Sequence, residues 1–309
     1  MMRQIVRRLT LTLLAIGLAS PALAVDGVIE INQTCAVNTG CFSGDTAGFP
    51  VTIGTTGSYR LTGNLVVSDA DTTAIQIVEQ NVALDLNGFS IIGPAVCSSF
   101  TFGPVTACTP TGTGEGVRAS GANTTITNGT VSGMGSNGIA IQGLATDGAL
   151  VERVHAASNG GHGIRVDRHT RVTGSTATTN GFTGIYCNTG ACTLTHNIVA
   201  RNGQRGIFTG AGSTVTGNTA ESNGLEGFFV LNGSTISNNV SNGNTGDGIA
   251  TGSACVVTGN AVRSNTGFGL DLSFETGFAN NSINSNTAGT VTGGVAMGTN
   301  ICNGNTTCP

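Results

Sequence analysis

Residues 206–226 read GIFTGAGSTVTGNTAESNGLE: three short β-rich runs separated by glycine and asparagine. Ile207 and Thr209, then Val215, then Ala220 fall in one phase of a two-residue alternation. Such alternation sends one set of side chains to one face of an extended strand and the rest to the other. No run approaches the ~10–12 residues that a helix needs. The unit is therefore three strands joined by turns, too short to bury a core by itself.

The unit repeats. A glycine followed by an apolar residue recurs at Gly116, Gly138, Gly163, Gly184, Gly206, Gly227, Gly248, Gly269 and Gly294, with gaps of 22, 25, 21, 22, 21, 21, 21 and 25. The inward phase recurs as Ile185, Leu194 and Val199, and again as Ile249, Val257 and Val262. A fixed period of 21–22 residues predicts a stacked solenoid with three strands per coil and a continuous apolar column inside. The LxxLxL signature of leucine-rich repeats is missing. Two asparagine files keep the same period: Asn159, Asn180, Asn202, Asn223, Asn244, Asn265 and Asn286, and then Asn197, Asn218, Asn239, Asn260 and Asn281. Asparagine tolerates left-handed backbone angles, and its amide can bond to the same amide one rung away. All twelve are expected to be structural turn residues.

The composition agrees with this reading. The chain has 309 residues, of which 49 are Gly, 9% are charged and none is Trp, with a mean hydropathy of +0.17 and 39% hydrophobic residues. Gly is enriched and charge is depleted relative to ordinary helical or α/β enzymes, while the hydropathy is too high for a disordered chain. Every basic residue is Arg, which excludes lysine bases, Schiff bases and Walker lysines. At the start, Arg3, Arg7 and Arg8 precede an apolar run from Leu9 to Leu18 and an Ala22-Leu23-Ala24 site, the pattern of a secretory signal peptide over 1–24. The run falls short of the ~20 residues of a membrane span. Loss of those three Arg takes the formal charge from −4 to −7, a balance that disfavours nucleic acid or an anionic membrane as partner. A secreted destination, whether periplasm, cell surface or medium, is expected. Export makes the cysteines disulfide candidates in near pairs: Cys35 with Cys41, Cys97 with Cys108, Cys187 with Cys192 and Cys302 with Cys308, leaving Cys255 as a buried thiol. Zinc is the rival explanation, but there is no CxxC and the four His are not clustered with the thiols.

On these residues the chain resembles the right-handed parallel β-helix proteins of the pectin-lyase-like class, over about residues 57–300, including the early coil AIQIVEQNVALDLNGFSIIG at 74–93. The resemblance implies an all-β right-handed parallel β-helix. Residues 25–56 are expected to cap its N-terminal end and 295–309 the other, with an insertion at 94–115. In related enzymes the first sheet forms the polysaccharide cleft, so the same face is expected to carry any function here.

Outward positions on that face merge into one stripe, because rungs lie ~4.8 Å apart. Two residues after each glycine stand Arg118, Ala140, Arg165, Tyr186, Phe208, Phe229, Ala250 and Asp271. Further along come Asp167 and Asn188, and just before the glycines stand His162, Arg205, Glu226 and Asp247. Exposed aromatic faces beside fixed polar groups suit a sugar chain, so Arg118, Tyr186, Asn188, Phe208, Phe229 and Asp271 are expected to bind carbohydrate. The plainer alternative is a cross-strand packing ladder. Glu226 and Asp247, on neighbouring rungs, are placed to share a proton or to hold Ca²⁺, or else to sit solvated beside Arg205. The Gly161-His162-Gly163 element resembles the GHG of polygalacturonases, but the NTD, DD and RIK elements of that family and the DPHD of alginate epimerases are missing. The resemblance leaves a Ca²⁺-dependent lyase chemistry with Arg165 or Arg205 as base near Asp167, Glu226 and Asp247, or a glycosidase.

The middle strands present Thr125 and Thr127, Arg171 and Thr173, Thr193 and Thr195, Thr214 and Thr216, Thr235 and Ser237, then Val256 and Thr258. This array resembles ice-binding solenoids, although Thr is also a common choice for exposed strands. The 94–115 insertion is expected to wall one end of the stripe, and Asp69 with Asp71 to form either a turn or a Ca²⁺ site. Three function classes follow: a non-catalytic protein that binds a polysaccharide or cell-surface glycan, a lyase or glycosidase on the same face, and a Thr-face structural or ice-binding protein.

Overall fold

The computed structural model describes residues 27–308 except 100, 102, 144 and 145; the expected signal peptide lies outside the described residues. Each coil contributes three short strands, and all three stack in parallel on the next coil. Ile207–Thr209 pairs with Phe228–Val230, Thr214–Thr216 with Thr235–Ser237, and Thr219–Glu221 with Val240–Asn242, each in exact register. The result is a right-handed β-helix with three sheets around one core. Ile207, Thr209, Val215 and Ala220 are fully buried, as are their counterparts Ile185, Leu194, Val199, Ile249 and Val257. The first strand of a coil turns two residues inward and the other two strands one each.

Both asparagine files line the inside of the turns. Each amide donates to the next: Asn180 Nδ2 to Asn202 Oδ1 at 2.9 Å, Asn202 to Asn223 at 3.0 Å and Asn223 to Asn244 at 2.9 Å, and so on to Asn286. The second file continues past Asn281 to Asn300. The expected left-handed conformation belongs to a different residue. It is the one before the asparagine, at Ser158, Thr179, Arg201, Ser222 and Asn238, for example, that has positive φ. The asparagine must point inward to reach its neighbours, and the sharp turn just before it directs the chain there. A third file, of hydroxyls, closes the first turn: Cys192 N donates to Ser213 Oγ and Ser213 N to Ser234 Oγ, and Cys255 N donates to Thr276 Oγ1.

One glycine assignment changes. Phe268 pairs with Gly289 and Leu270 with Val291, so Thr290, not Gly294, stands opposite Gly269. The true spacing there is again 21, and Gly294 lies further along the strand Gly289–Ala296, where the register shifts, at φ +70°.

At the N-terminus the strand Ile29–Ile31 stacks on Gly57–Leu61. It is followed by the helix Gln33–Asn38, which Asn32 caps through Cys35 N at 3.0 Å and which buries Ala36. Val51–Ile53 already lies in the first sheet against Ile75–Ile77. The four disulfides are Cys35–Cys41, Cys97–Cys108, Cys187–Cys192 and Cys302–Cys308, with Cys255 free and buried. Such cysteine usage belongs to an oxidising, extracytoplasmic compartment. No helix of the described residues is long and apolar enough to cross a membrane.

Candidate functional site

The stripe forms on the first sheet as the register requires. Arg118, Ala140, Arg165, Tyr186, Phe208, Phe229, Ala250 and Asp271 lie one above the other. Backbone bonds such as Gly184 N to Arg205 O, Gly206 N to Glu226 O and Gly227 N to Asp247 O align the residues that precede each coil in a parallel column. Of these outward positions, Ala140 and Ala250 are buried rather than exposed, because longer side chains on adjacent rungs cover them.

The aromatic side chains stack on one another. Ring centres are 4.6 Å apart for His162 and Tyr186, 4.7 Å for Tyr186 and Phe208, and 5.8 Å for Phe208 and Phe229, and the last two pairs are within 11° of parallel. The pile is four rings long and includes His162, which sequence spacing did not place in it. Face-to-face piling spends the ring faces on each other and turns the edges outward. The rings thus form the cross-strand ladder, with their edges outward beside the Tyr186 hydroxyl, which donates to Asn188 Oδ1 at 3.3 Å.

His162 is held by two backbone bonds. Its N–H donates to Asn137 Oδ1 at 2.9 Å, and its Nδ1 accepts from Thr183 N at 3.2 Å. Burial, with Arg165 nearby, lowers its pKa to about 4, so the ring is neutral with the proton on Nε2. Arg165 reaches toward the Tyr186 ring, 5.9 Å from its centre. Asp167 Oδ2 accepts from Gly143 N at 3.0 Å.

At the other end, Arg205 Nε contacts Glu226 Oε2 at 2.7 Å, and the guanidinium lies 4.7 Å from the Phe229 ring centre. A guanidinium committed in this way serves as a structural cation rather than a base. Asp247 Oδ1 accepts from Phe268 N at 2.6 Å. Burial, then Asp271 and Glu226, push its carboxyl above the usual range. Among the described residues no group of three or more His, Cys, Asp or Glu side chains is arranged to hold a metal ion. Glu226 is tied to Arg205 and Asp247 to the backbone, so this pair does not fit a Ca²⁺ cage. Asp71 Oδ1 accepts from Thr113 N at 2.8 Å and Asp69 Oδ1 from Asp71 N at 3.1 Å, so that cluster is a turn holding the insertion.

Sequence spacing missed Glu115. It precedes Gly116 just as His162 precedes Gly163, and its side chain is buried. Its Oε1 accepts from Asn137 Nδ2 at 2.7 Å, and burial raises its pKa. Buried polar atoms without a hydrogen-bond partner gather on this stripe: Glu115 Oε2, Arg165 Nε and Asp167 Oδ1, with Arg205 Nε and Glu226 Oε2 meeting only each other.

The insertion flanks the stripe rather than closing its end. Val96–Ser99 and Val105–Thr109 form an antiparallel hairpin locked by Cys97–Cys108. It runs across successive turns, with Ala95 N bonded to Gly133 O and Val105 N to Arg201 O. Gly181 lies beneath it: a Cβ there would come within 2.3 Å of Gly160 O and 3.2 Å of Cys108 Sγ. On the second sheet the Thr array pairs hydroxyls, Thr195 with Thr173 at 2.9 Å and Thr216 with Ser237 at 3.0 Å. Arg171, exposed Val256, and Leu150 with Glu152 interrupt it.

The chain matches the family described as right handed beta helix region over residues 64–240, more than half its length. No curated protein matches it significantly. Among solved structures, the A-module of the Azotobacter vinelandii mannuronan C-5 epimerase AlgE4 is similar at a TM-score of 0.51 and 15% identity, over 79% of this chain and 87% of that one. The AlgE6 A-module of the same organism gives 0.46 and 16%, over 78% and 91%. The Dettilon tailspike protein gives 0.47 and 17% over 78% of this chain, which spans about half (55%) of the tailspike's length. At such identities the likeness is one of fold. By its sequence match and its coils, the chain belongs to the right-handed β-helix region family.

Proposed function

We propose that the first-sheet face binds an extended polysaccharide or cell-surface glycan, in a protein exported from the cell. The observation that carries this reading is the row of exposed and half-exposed polar side chains, Arg118, Arg165, Asp167, Tyr186 and Asn188, on one outward stripe of the first sheet. Sugar hydroxyls, which donate and accept at close spacing, satisfy such groups. The stripe runs along the solenoid axis, so successive rungs meet successive sugars of one chain. The similarity of AlgE4, a protein named for acting on mannuronan, supports the same ligand class.

A second reading, cleavage on the same face, rests on Asp247, whose raised carboxyl lies near Asp271 and Glu226. One experiment addresses both. The full chain is screened on a glycan array and incubated with the bound polymers, with and without Ca²⁺. Expected is polymer binding that falls on the order of tenfold in the Asp167→Ala/Asn188→Ala double variant at unchanged melting temperature. The absence of any glycan binding overturns the proposal. New reducing or unsaturated ends, lost in Glu226→Gln, establish catalysis.

A further inference from the structure

Beside the stripe, the turn that leads into the first sheet carries a short ridge. Gly161, Phe182, Gln204, Leu225 and Gly246 stand one above the other, joined by backbone bonds from Phe182 N to Gly161 O at 3.0 Å, Gln204 N to Phe182 O at 3.2 Å, Leu225 N to Gln204 O at 3.1 Å and Gly246 N to Leu225 O at 3.1 Å. Both ends of the column are closed to a side chain. A Cβ on Gly161 would come within 2.7 Å of Asn137 Oδ1, and one on Gly246 within 2.8 Å of Glu226 N. Phe182 is 47% exposed and Leu225 39%, with half-buried Gln204 between them. Phe182 stands at 66° to the His162 ring instead of joining the pile, so among the described residues no ring is stacked on its faces. The charges alongside are balanced: Arg205 is paired with Glu226 at 2.7 Å, His162 is neutral above about pH 4, and Arg165 has Asp167 two residues along the chain.

We propose that the ridge Phe182–Gln204–Leu225 selects a neutral β-1,4-linked polysaccharide, with Phe182 and Leu225 against the C–H faces of two sugars and the Gln204 amide bonded to the sugar between them. The inference rests on the glycan-binding reading and names the class of polymer. Phe182 and Leu225 are two rungs apart, about 10 Å at the backbone. Successive sugars of a β-1,4 chain are turned over relative to one another, so the same face returns once per disaccharide, close to that interval. A pyranose with equatorial substituents has an apolar C–H face, and seating it on an exposed ring or a leucine removes apolar surface from water. Gln204 offers both a donor and an acceptor to the hydroxyls of the intervening sugar. An acidic polymer would bring its charges to a ridge whose adjacent cation, Arg205, is already committed to Glu226, and would lose hydration there without a counter-charge. Asp247, which lies beyond the Gly246 end, repels it further.

The test titrates the full chain with β-1,4-mannohexaose, cellohexaose, the β-1,4-mannuronate hexamer and α-1,4-linked maltohexaose, followed by calorimetry and amide chemical shifts. Mannohexaose and the mannuronate hexamer share a linkage and differ in charge, whereas cellohexaose and maltohexaose differ in linkage alone. Expected is binding of the two neutral β-1,4 hexamers on the order of tenfold tighter than either of the others. The Phe182→Ala/Leu225→Ala double variant should lose that tenfold for the neutral β-1,4 hexamers, and Phe182→Tyr, which keeps the ring face, should bind them as the parent does. Gln204→Ala, which removes no apolar side chain, serves where the double variant fails to fold, with an expected loss on the order of threefold. Mannuronate or maltohexaose binding as tightly as its partner overturns the polymer class. Unchanged mannohexaose binding in the double variant and in Gln204→Ala overturns the ridge. If polymer binding is lost in Asp167→Ala/Asn188→Ala but not in the ridge variants, the wider glycan reading stands while the ridge fails.

Discussion

Arg205 and Glu226 stand one rung apart and meet at 2.7 Å, with side chains 28% and 19% exposed. The same guanidinium covers Phe229 at the end of the ring pile. Removing the cation leaves a largely buried carboxylate without its partner. Arg205→Ala is therefore expected to cost about 2 kcal/mol and Glu226→Gln about 1 kcal/mol. The double variant should lose about 1 kcal/mol less than the sum, because the unpaired charge is gone. Urea unfolding of the four proteins measures this, and strict additivity would show that the contact contributes nothing.

His162 makes folding sensitive to acid. Its folded pKa of about 4 lies below the ordinary value of 6.5. Between those values the unfolded chain takes up a proton that the folded one refuses, so stability falls as pH drops from about 6.5 to about 4 and levels off below. Discounted for partial exposure, the loss is about 2 kcal/mol. His162→Gln should flatten stability over this window. A wild-type imidazole that titrates near 6.5 by NMR would contradict the buried placement.

The asparagine files should show position-dependent costs. Asn202 accepts from Asn180 N and Nδ2, and donates to Ala177 O and Asn223 Oδ1. Asn202→Ala orphans groups on both sides and is expected to cost about 3–5 kcal/mol. Asn286, where the file ends, accepts from Asn265 and donates only to Val262 O. Asn286→Ala should cost about 1–2 kcal/mol. Chemical denaturation of the two variants decides this, and equal losses would mean that the amides act singly rather than as a chain.

The solenoid, its sheets and its disulfide pairs were legible because each coil repeats the same physical problem at the same spacing. Where the repeat is interrupted, legibility stops. Glu115 was hidden because the 94–115 insertion separates it from the preceding coil, although its place before Gly116 marks the same column. Gly294 was misread because a glycine-apolar pair is common in so glycine-rich a chain, while the true counterpart, Thr290, carries no glycine. The ring pile shows another limit: spacing put Tyr186, Phe208 and Phe229 on one face, but side-chain direction decides whether faces or edges meet solvent. The hydroxyl file escaped notice because Cys, Ser and Thr take turns in it.

The left-handed turn positions are the remaining surprise, and they offer a stabilising substitution. In the turn after the first strand, one position has positive φ on successive coils: Ala191, Gly212, Gly233, Ala254 and Glu275. Gly233 shows that the fold accepts glycine here, and Ala254 holds the same conformation at φ 57°. A left-handed alanine is disfavoured by about 1–2 kcal/mol, whereas glycine adds about 0.4–1 kcal/mol of chain entropy to the unfolded state. Ala254→Gly should therefore stabilise by about 0.5–1 kcal/mol, or raise the melting temperature by about 1–3 °C. Ala220→Gly, at a fully buried strand position, provides the opposite sign, since it removes a core methyl and adds the same unfolded-state entropy, for a loss of about 1–2 kcal/mol. A drop in melting temperature for both variants would show that backbone strain at Ala254 is negligible beside the entropy of glycine.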